Sequence, residues 1–317
     1  MMKILANDGI HPTGQKMLEK AGFQVDLERI PQEELKEKLN DYDAIIVRSA
    51  TKVRQDLIDQ CPNLKVIARG GVGMDNIDVE YARNKGLTVV NTPAASSRSV
   101  AELVFGHILS IVRSIHLSNR EMPQSGHSEF KKLKKSYSSG QELRGKTFGV
   151  IGLGRIGREA AQIALGLGMK VVGTDPLVDE VTLEVALHPS YDKKLSVSIP
   201  TVSLDELLSE ADVITLHVPG GAKAILGADE IAKMKKGVIL VNAARGGVID
   251  EDALVDGLES GHVAGVGLDV FVNEPTPRQD LLNHPKVSDT PHIGASTNQA
   301  QENIGIELAV QIIAALK

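Results

Sequence analysis

The chain has a single cysteine, Cys61, in 317 residues. A disulfide framework within it is therefore excluded, and a reducing compartment is expected. Cys61 precedes Pro62 in a short connection and reads as structural rather than nucleophilic. Long apolar runs are also missing. No window approaches the roughly 20 apolar residues of a membrane span. The opening MMKILANDGI lacks a signal-peptide pattern. No membrane association is expected, and the cytoplasm is the expected location. Positive charge is not in excess either. A net charge of −6 and a pI near 5.9 argue against non-specific nucleic-acid binding. An anionic substrate would then need a local basic site. Repeats and low-complexity tracts are absent, and no metal site is expected.

What is present has the composition of an ordinary globular protein, long enough for about two domains. In the first ninety residues, short apolar runs at Ile4–Ala6, Phe23–Leu27, Ala44–Val47, Val66–Ala68 and Leu87–Val90 alternate with helix-like stretches such as Thr13–Lys20 and Gln32–Leu39. Such alternation predicts a parallel α/β sheet of flavodoxin-like size. Val100, Leu103, Val104, Ile108, Ile111, Val112 and Ile115 then recur at helical spacing, with Ser99 and Glu102 suiting a capping box. This predicts a long helix connecting two domains. The polar segment that follows holds Lys131–Lys135, which by itself reads as a solvated face. Strand-like runs resume at Phe148–Gly152, Lys170–Thr174, Val213–Val218, Val238–Asn242 and Ala264–Val270. Val178–Pro200, including His188-Pro189-Ser190, reads as an irregular surface insertion, and Ala300–Lys317 as an amphipathic helix.

The strongest local motif is FGVIGLGRIG, in which Gly152, Gly154 and Gly157 form G-x-G-x-x-G between a strand and a helix. The first glycine permits a tight turn, the second lets backbone approach a pyrophosphate, and the third allows close helix–strand packing. N–H groups of Arg155 and Ile156 at the helix N-terminus are the expected phosphate contacts. The next strand ends in Asp175, 21 residues after Gly154. An acid there accepts from ribose hydroxyls and repels a 2′-phosphate, so NAD is expected over NADP.

Three further stretches each follow a strand. VNAARGG carries Arg245, GLDVFVNEP carries Asp269 and Glu274, and TPHIG carries His292. Ligands of doubly wound sheets bind at the carboxyl ends of strands. Oxidising an alcohol with NAD needs a base, which histidine supplies near neutrality. A carboxylate on its other ring nitrogen fixes the tautomer and supports the imidazolium. An arginine holds a substrate carboxylate with a two-pronged fork. Singly, each has an ordinary reading: a surface arginine, a turn-starting glutamate, a loop-capping histidine.

Taken together, GLGRIG, ARGG, LDVF…EP and TPHIGAST resemble the D-isomer-specific 2-hydroxyacid dehydrogenase family, in the same order and over nearly the whole chain. The VRSATKV, RGGVGMDN, NTP and SVAE stretches resemble a member acting on a phosphorylated glycerate. The resemblance implies two doubly wound parallel-sheet domains, a Rossmann NAD-binding domain (98–292) inserted in a flavodoxin-like substrate domain (1–97 plus 293–317). It implies a homodimer through the nucleotide-binding domains. It also implies a trio: Arg245 on the substrate carboxylate and carbonyl oxygen, Glu274 paired with His292, and His292 as proton acceptor and donor. Asp269 and the backbone of Ala243 and Ala244 would hold the nicotinamide carboxamide. Val72, Val218, Gly294 and Ala295, with Arg245 and His292, would line the cofactor site. Gly70 and Gly71 would offer N–H groups to the substrate carboxylate, and Arg48 and Ser49 would take a phosphate.

The reaction so implied is NAD-dependent oxidation of 3-phospho-D-glycerate to 3-phosphohydroxypyruvate, the first step of serine synthesis. The alternatives are a glyoxylate, hydroxypyruvate or D-lactate reductase and, more distantly, an NAD(H)-sensing corepressor-like binding protein. In the family Lys131–Lys135 would lie at the dimer interface, within reach of a neighbouring site. His292 would sit at the hinge of the cleft. Two departures are visible: a long Val178–Pro200 stretch, and PGGAK at Pro219–Lys223 without the usual threonines. No amino-acid-binding regulatory domain is expected after the final helix, nor serine feedback through one.

Overall fold

A computed structural model describes every residue except Leu187, Pro189 and Tyr191. It divides the chain into two units, one made of Met1–Ser99 with Ala295–Lys317, the other of Val100–Gly294. The second unit is thus inserted in the sequence of the first. Both are α/β with parallel sheets.

The first unit alternates β1 (Lys3–Ala6), α1 (Pro12–Lys20), β2 (Gln24–Asp26), α2 (Leu35–Lys38), β3 (Ala44–Val47), α3 (Gln55–Gln60), β4 (Val66–Arg69), α4 (Val79–Asn84) and β5 (Thr88–Asn91). The strand order is β2-β1-β3-β4-β5, so the topology switches between β1 and β3. All four residues of β3 are buried. A strand covered on both faces reads as an unbroken apolar run, as AIIV does.

The second unit begins with α5 (Ser97–Val112), which starts just before the division, and continues into α6 (Ile115–Ser136). Ser99 and Glu102 therefore lie inside the first turns of α5 rather than capping it. The basic run Lys131–Lys135 occupies the exposed end of α6, although Leu133 within it is buried. Then follow β6 (Thr147–Ile151), α7 (Arg155–Gly166), β7 (Lys170–Thr174), β8 (Glu180–Ala186), β9 (Lys194–Pro200), α8 (Leu204–Glu210), β10 (Val213–Leu216), α9 (Ala228–Lys233), β11 (Val238–Asn242), α10 (Glu251–Glu259), β12 (Val263–Leu268), α11 (Gln279–Asn283) and β13 (Val287–Asp289). Six parallel strands run in the order β13-β12-β11-β10-β6-β7. The switch point falls between β6 and β10. Phe148 of β6 is fully buried and its ring lies 5.3 Å from that of Phe105 on α5.

The Val178–Pro200 stretch is not irregular. It forms an antiparallel hairpin of β8 and β9, and β8 buries every second residue (Val181, Leu183, Val185). Of its sequence-singled residues, Pro189 lies outside the described ones. The chain returns to the first unit through α12 (Asn298–Leu316), capped by Thr297, whose hydroxyl accepts from Ala300 N–H. Ile304, Leu308 and Ile312 of α12 pack with Ile4, Ile46 and Ala68 of the first sheet. Gly14 and Gly305 let α1 and α12 touch, since a Cβ on Gly14 would strike the Gly305 backbone. No single helix among the described residues is long and apolar enough to cross a membrane.

Candidate active site

In the second unit the glycine turn sits at the switch point, after β6. Gly152 has φ 95°. A Cβ there would lie 2.5 Å from the His217 carbonyl, so the turn closes against the end of β10. Gly157 faces the Gly152 carbonyl so closely that a Cβ would overlap it. Gly154 is different: a Cβ there meets nothing within 4 Å. The first glycine and the third are small for packing, whereas the second borders open space. Gly154 is the N-cap of α7, with no side-chain cap, and the first N–H groups, of Arg155 and Ile156, have no acceptor among the described residues. Asp175, just past β7, accepts from Leu153 N–H at 2.8 Å on one oxygen and from Leu177 N–H at 2.9 Å on the other. Its carboxylate is thereby held against the glycine turn. Val218 flanks the same turn, its Cγ1 3.0 Å from where a Gly152 Cβ would be. These features fit a dinucleotide pyrophosphate at the helix end with a ribose beside Asp175.

The His292 loop follows β13. His292 Nδ1 lies 2.8 Å from Glu274 Oε2, and Glu274 Oε1 accepts from Phe271 N–H at 2.9 Å. A carboxylate only accepts, so Nδ1 carries the proton and Nε2 remains the basic nitrogen. The imidazole is half-exposed, at 50% of its side chain. His292 has φ 55°, a left-handed conformation that costs a non-glycine residue about 1–3 kcal/mol. Its neighbours hold it there. His292 N–H donates to the Thr290 carbonyl, and Ile293 and Gly294 N–H groups each donate to Asp269 at 2.8 Å. A side chain on Gly294 would sit 3.0 Å from Asp269 Oδ2, so glycine keeps that bond short.

Asp269, 1% exposed, also accepts from Thr290 Oγ1 at 2.6 Å. Three of its roughly four lone-pair positions are thus engaged by its own surroundings. The carboxylate anchors the His292 loop, a role that its expected carboxamide contact did not suggest.

Arg245 follows β11. Buried Asn242 shapes this turn: its amide donates to the Arg245 carbonyl at 2.9 Å and its oxygen accepts from Ala244 N–H at 3.0 Å. Ala243 and Ala244 are buried in it. Arg245 Nη1 donates to the Ala244 carbonyl at 2.6 Å. Gly246 lies on the Phe271 carbonyl so tightly that no Cβ fits, which fixes the arginine turn against the loop that carries Glu274.

The first unit presents its own cluster, at its own switch point. Asp8, after β1, accepts from Arg48 N–H at 2.6 Å and from Thr51 through both N–H and hydroxyl. Asn76 donates to the Arg48 carbonyl at 2.7 Å. The Arg48 backbone is therefore pinned, while its guanidinium bonds to nothing among the described residues. Burial pushes the Arg48 guanidinium below its ordinary value, with Asp8 acting in the opposite sense. It remains a cation. Ser49 beside it is exposed.

One expectation needs correction here. Gly70 N–H donates to the Val47 carbonyl at 2.9 Å and Gly71 N–H to Thr92 Oγ1 at 2.8 Å. The first bond extends the β3–β4 pairing and the second ties the loop to the Thr92 side chain after β5, so neither N–H is left for a substrate. The N–H groups of Val72 and Gly73, next in the loop, have no acceptor among the described residues. Val72 is exposed, and its carbonyl accepts from Asn91. Ala295 opens the returning segment, its carbonyl taking the Gln301 amide.

Several contributors went unremarked in the sequence: Asp8, Asn242, Thr290, His217 and His107. Thr290 and Asn242 stood within the quoted motifs but had no assigned role. His217 lies beside the glycine turn, its Nε2 3.1 Å from Thr215 Oγ1 and its Nδ1 buried without a partner among the described residues. Burial pushes it down to about 3, so it is neutral.

Residues 105–294 match the family model of the D-isomer specific 2-hydroxyacid dehydrogenase NAD binding domain. The chain is 44% identical over 315 residues to a D-3-phosphoglycerate dehydrogenase of Methanocaldococcus jannaschii, covering 98% of this chain but 57% of that one. It is 45% identical to a hydroxypyruvate reductase of Thermotoga maritima, covering 94% of this chain and 92% of that one. Among solved structures, a glyoxylate reductase from Paecilomyes thermophila superposes with a TM-score of 0.83 at 30% identity, covering 100% of this chain and 95% of that one. Family model, relatives and fold agree: the chain belongs to the D-isomer-specific 2-hydroxyacid dehydrogenases, with NAD as its cofactor.

Proposed function

We propose that the protein oxidises 3-phospho-D-glycerate at its 2-hydroxyl, with His292 as the proton acceptor. The observation that carries the phosphate assignment is Arg48. A half-buried arginine whose backbone is fixed at a switch point, and whose guanidinium lacks a partner among the described residues, is a site prepared for an anion. A small unphosphorylated acid needs no second anion site.

Held at the Gly152–Gly157 turn with its ribose beside Asp175, NAD would supply the hydride acceptor for C2, and NADH the hydride donor in the reverse direction. His292 Nε2 takes the hydroxyl proton as the alcohol becomes a ketone. Glu274, held by Phe271 N–H, keeps the imidazole in the productive tautomer and supports its charged form. Arg245 grips the substrate carboxylate and polarises the developing carbonyl oxygen. The N–H groups of Val72 and Gly73 take the carboxylate role expected of Gly70 and Gly71. Asp175 disfavours a 2′-phosphate on the cofactor.

The similarity to the hydroxypyruvate reductase, at 45% identity, supports a second reading: reduction of a small unphosphorylated 2-oxo acid. A substrate panel separates the two. Steady-state rates are measured with 3-phosphoglycerate, glycerate, D-lactate and 2-hydroxyglutarate and in the reverse direction, for wild type and Arg48→Ala. The proposal expects Arg48→Ala to raise KM for the phosphorylated substrate by about 100-fold, the worth of a strong charge-assisted contact, and KM for glycerate far less. An equal effect on both would sink the phosphate assignment.

A further inference from the structure

We propose that His107, on helix α5, is a positioning residue that sets the His292 loop through a polarised chain of hydrogen bonds. This rests on His292 being the proton acceptor.

His107 lies in an otherwise apolar helix face among Val104, Ile108 and Ile111, and is 3% exposed. A polar ring in such a place is costly unless every polar atom is matched. Here both nitrogens are. Nδ1 is 2.9 Å from Ser288 Oγ and Nε2 is 3.1 Å from Thr290 Oγ1. The neighbouring strand is cut to receive the ring. A Cβ on Gly267 of β12 would come within 2.5 Å of His107 Cβ, and one on Gly265 within 2.6 Å of Ile111.

The direction of each proton follows from the far end. Asp269 carries a carboxylate that accepts from Ile293 N–H, Gly294 N–H and Thr290 Oγ1. Thr290 has one hydroxyl proton, and it goes to Asp269. Its oxygen can then only accept from His107, so Nε2 bears the ring proton. Nδ1 in turn accepts from the Ser288 hydroxyl. The chain thus runs one way, from Ser288 to His107 to Thr290 to Asp269, and bonds aligned in this manner strengthen one another. Burial keeps the ring neutral, against the pull of Asp269 and Asp289 and with His116 opposing charge. A neutral ring with one donor and one acceptor is what the chain needs.

The chain ends where the chemistry is set. Asp269 and the Thr290 carbonyl hold three consecutive N–H groups, those of His292, Ile293 and Gly294. These bonds keep His292 at φ 55°. A shift of about 1 Å in an acid–base group costs roughly 100-fold in rate. A leucine here would leave Ser288 Oγ and Thr290 Oγ1 without their ring partner, so the histidine does more than fill the space between α5 and β12.

The test uses His107→Leu, His107→Gln, Thr290→Val and the Leu/Val double variant, each as full-length protein. The first readout is amide hydrogen exchange without substrate or cofactor. The proposal expects protection of Ile293 and Gly294 to fall about tenfold or more in His107→Leu and Thr290→Val, with Val241 and Val266 in the strands unchanged. The second is turnover, with kcat about tenfold lower and substrate KM within about twofold. The double variant should be no worse than either single one, because one chain is cut twice. Glutamine, whose Nε2 reaches toward the same hydroxyl, should restore most of both. Thr290→Val leaves the helix packing intact and decides the matter if His107→Leu does not fold. Unchanged exchange at Ile293 and Gly294, an equal loss across the strands, or additive effects would overturn the proposal. A wild-type protein inactive on every 2-hydroxy and 2-oxo acid would sink the functional reading instead, while the exchange experiment would still decide the hydrogen-bond chain.

Discussion

Glu274 accepts on both carboxylate oxygens, Phe271 N–H on one and His292 Nδ1–H on the other, at 2.9 and 2.8 Å. A carboxamide can accept on only one. Glu274→Gln therefore loses the backbone anchor, or else turns its NH2 to His292 and forces the wrong tautomer. Either way kcat should fall by about 100-fold to 10,000-fold, the range seen when an orienting carboxylate is neutralised. NADH affinity, measured by fluorescence titration, should stay within about twofold, because neither group belongs to the glycine turn. A kcat within threefold of wild type would mean that the pair is ornamental.

The glycine turn makes a sharper prediction than its motif does. Gly157 abuts the Gly152 carbonyl, whereas Gly154 borders open space. Gly157→Ala should lower Tm by about 4 °C or more, since overpacking costs about 1–3 kcal/mol. Gly154→Ala should leave Tm within about 1 °C yet weaken NADH binding about tenfold, by crowding the pyrophosphate. Thermal melts with and without NADH read both quantities. Equal melting temperatures for the two variants would refute this division of labour.

Much of this was legible because strands buried on both faces announce themselves as apolar runs. AIIV at Ala44–Val47 and VILVN at Val238–Asn242 were read to the residue. A strand was expected before TPHIG, but β13 was not delimited, because Val287-Ser288-Asp289 has one apolar residue and becomes a strand only by pairing with β12. The hairpin of β8 and β9 was missed although its alternation was on view: Glu180, Thr182 and Glu184 out, Val181, Leu183 and Val185 in. The stretches that carry Arg245, Glu274 and His292 were readable through motif order, and the fold pairs Glu274 with His292. His107 was not, since a lone histidine in an apolar helix has no local signature. Its partners lie about 160 to 180 residues away, and only the fold sets Gly267, Ser288 and Thr290 around it. The Gly70 and Gly71 assignment failed for a related reason: sequence shows that an N–H exists, but not whether the sheet has already taken it.

Stability should be sensitive to acid in a window set by buried histidines. His217 is pushed down to about 3 by burial, and His107 and His284 are lowered for the same leading reason. Each takes up a proton less readily in the folded protein than its unfolded counterpart, which charges near 6.5. Between those values the unfolded state binds more protons, so stability is present above about pH 6.5 and is lost as pH falls toward the folded values. Urea midpoints at pH 7 and pH 5 should differ clearly for wild type and less for His217→Gln. Carboxylates such as Asp43 and Asp212 are lowered from an ordinary 3.8, so their contribution is lost mainly below the pH 7 to pH 5 interval of this comparison. An identical drop in both proteins would remove His217 from the account.

Cofactor choice should rest on the charge of Asp175 more than on its hydrogen bonds. Its carboxylate is held by Leu153 N–H and Leu177 N–H, so Asp175→Ala would disturb the glycine turn along with the charge. Asp175→Asn separates the two effects. The amide oxygen can still accept from Leu153, while the negative charge that repels a 2′-phosphate is gone. A phosphate carries close to two negative charges, and repulsion at a few ångströms near a protein surface amounts to about 1–4 kcal/mol. The ratio of kcat/KM for NADPH over NADH should therefore rise about tenfold or more in Asp175→Asn. Activity with NADH should persist, because the ribose hydroxyls keep one acceptor. Asp175→Ala should show the same gain in ratio but a weaker turn, seen as a lower Tm. If Asp175→Asn moved the ratio by less than about twofold while Asp175→Ala moved it tenfold, selectivity would come from the shape of the turn, and the electrostatic account would be wrong.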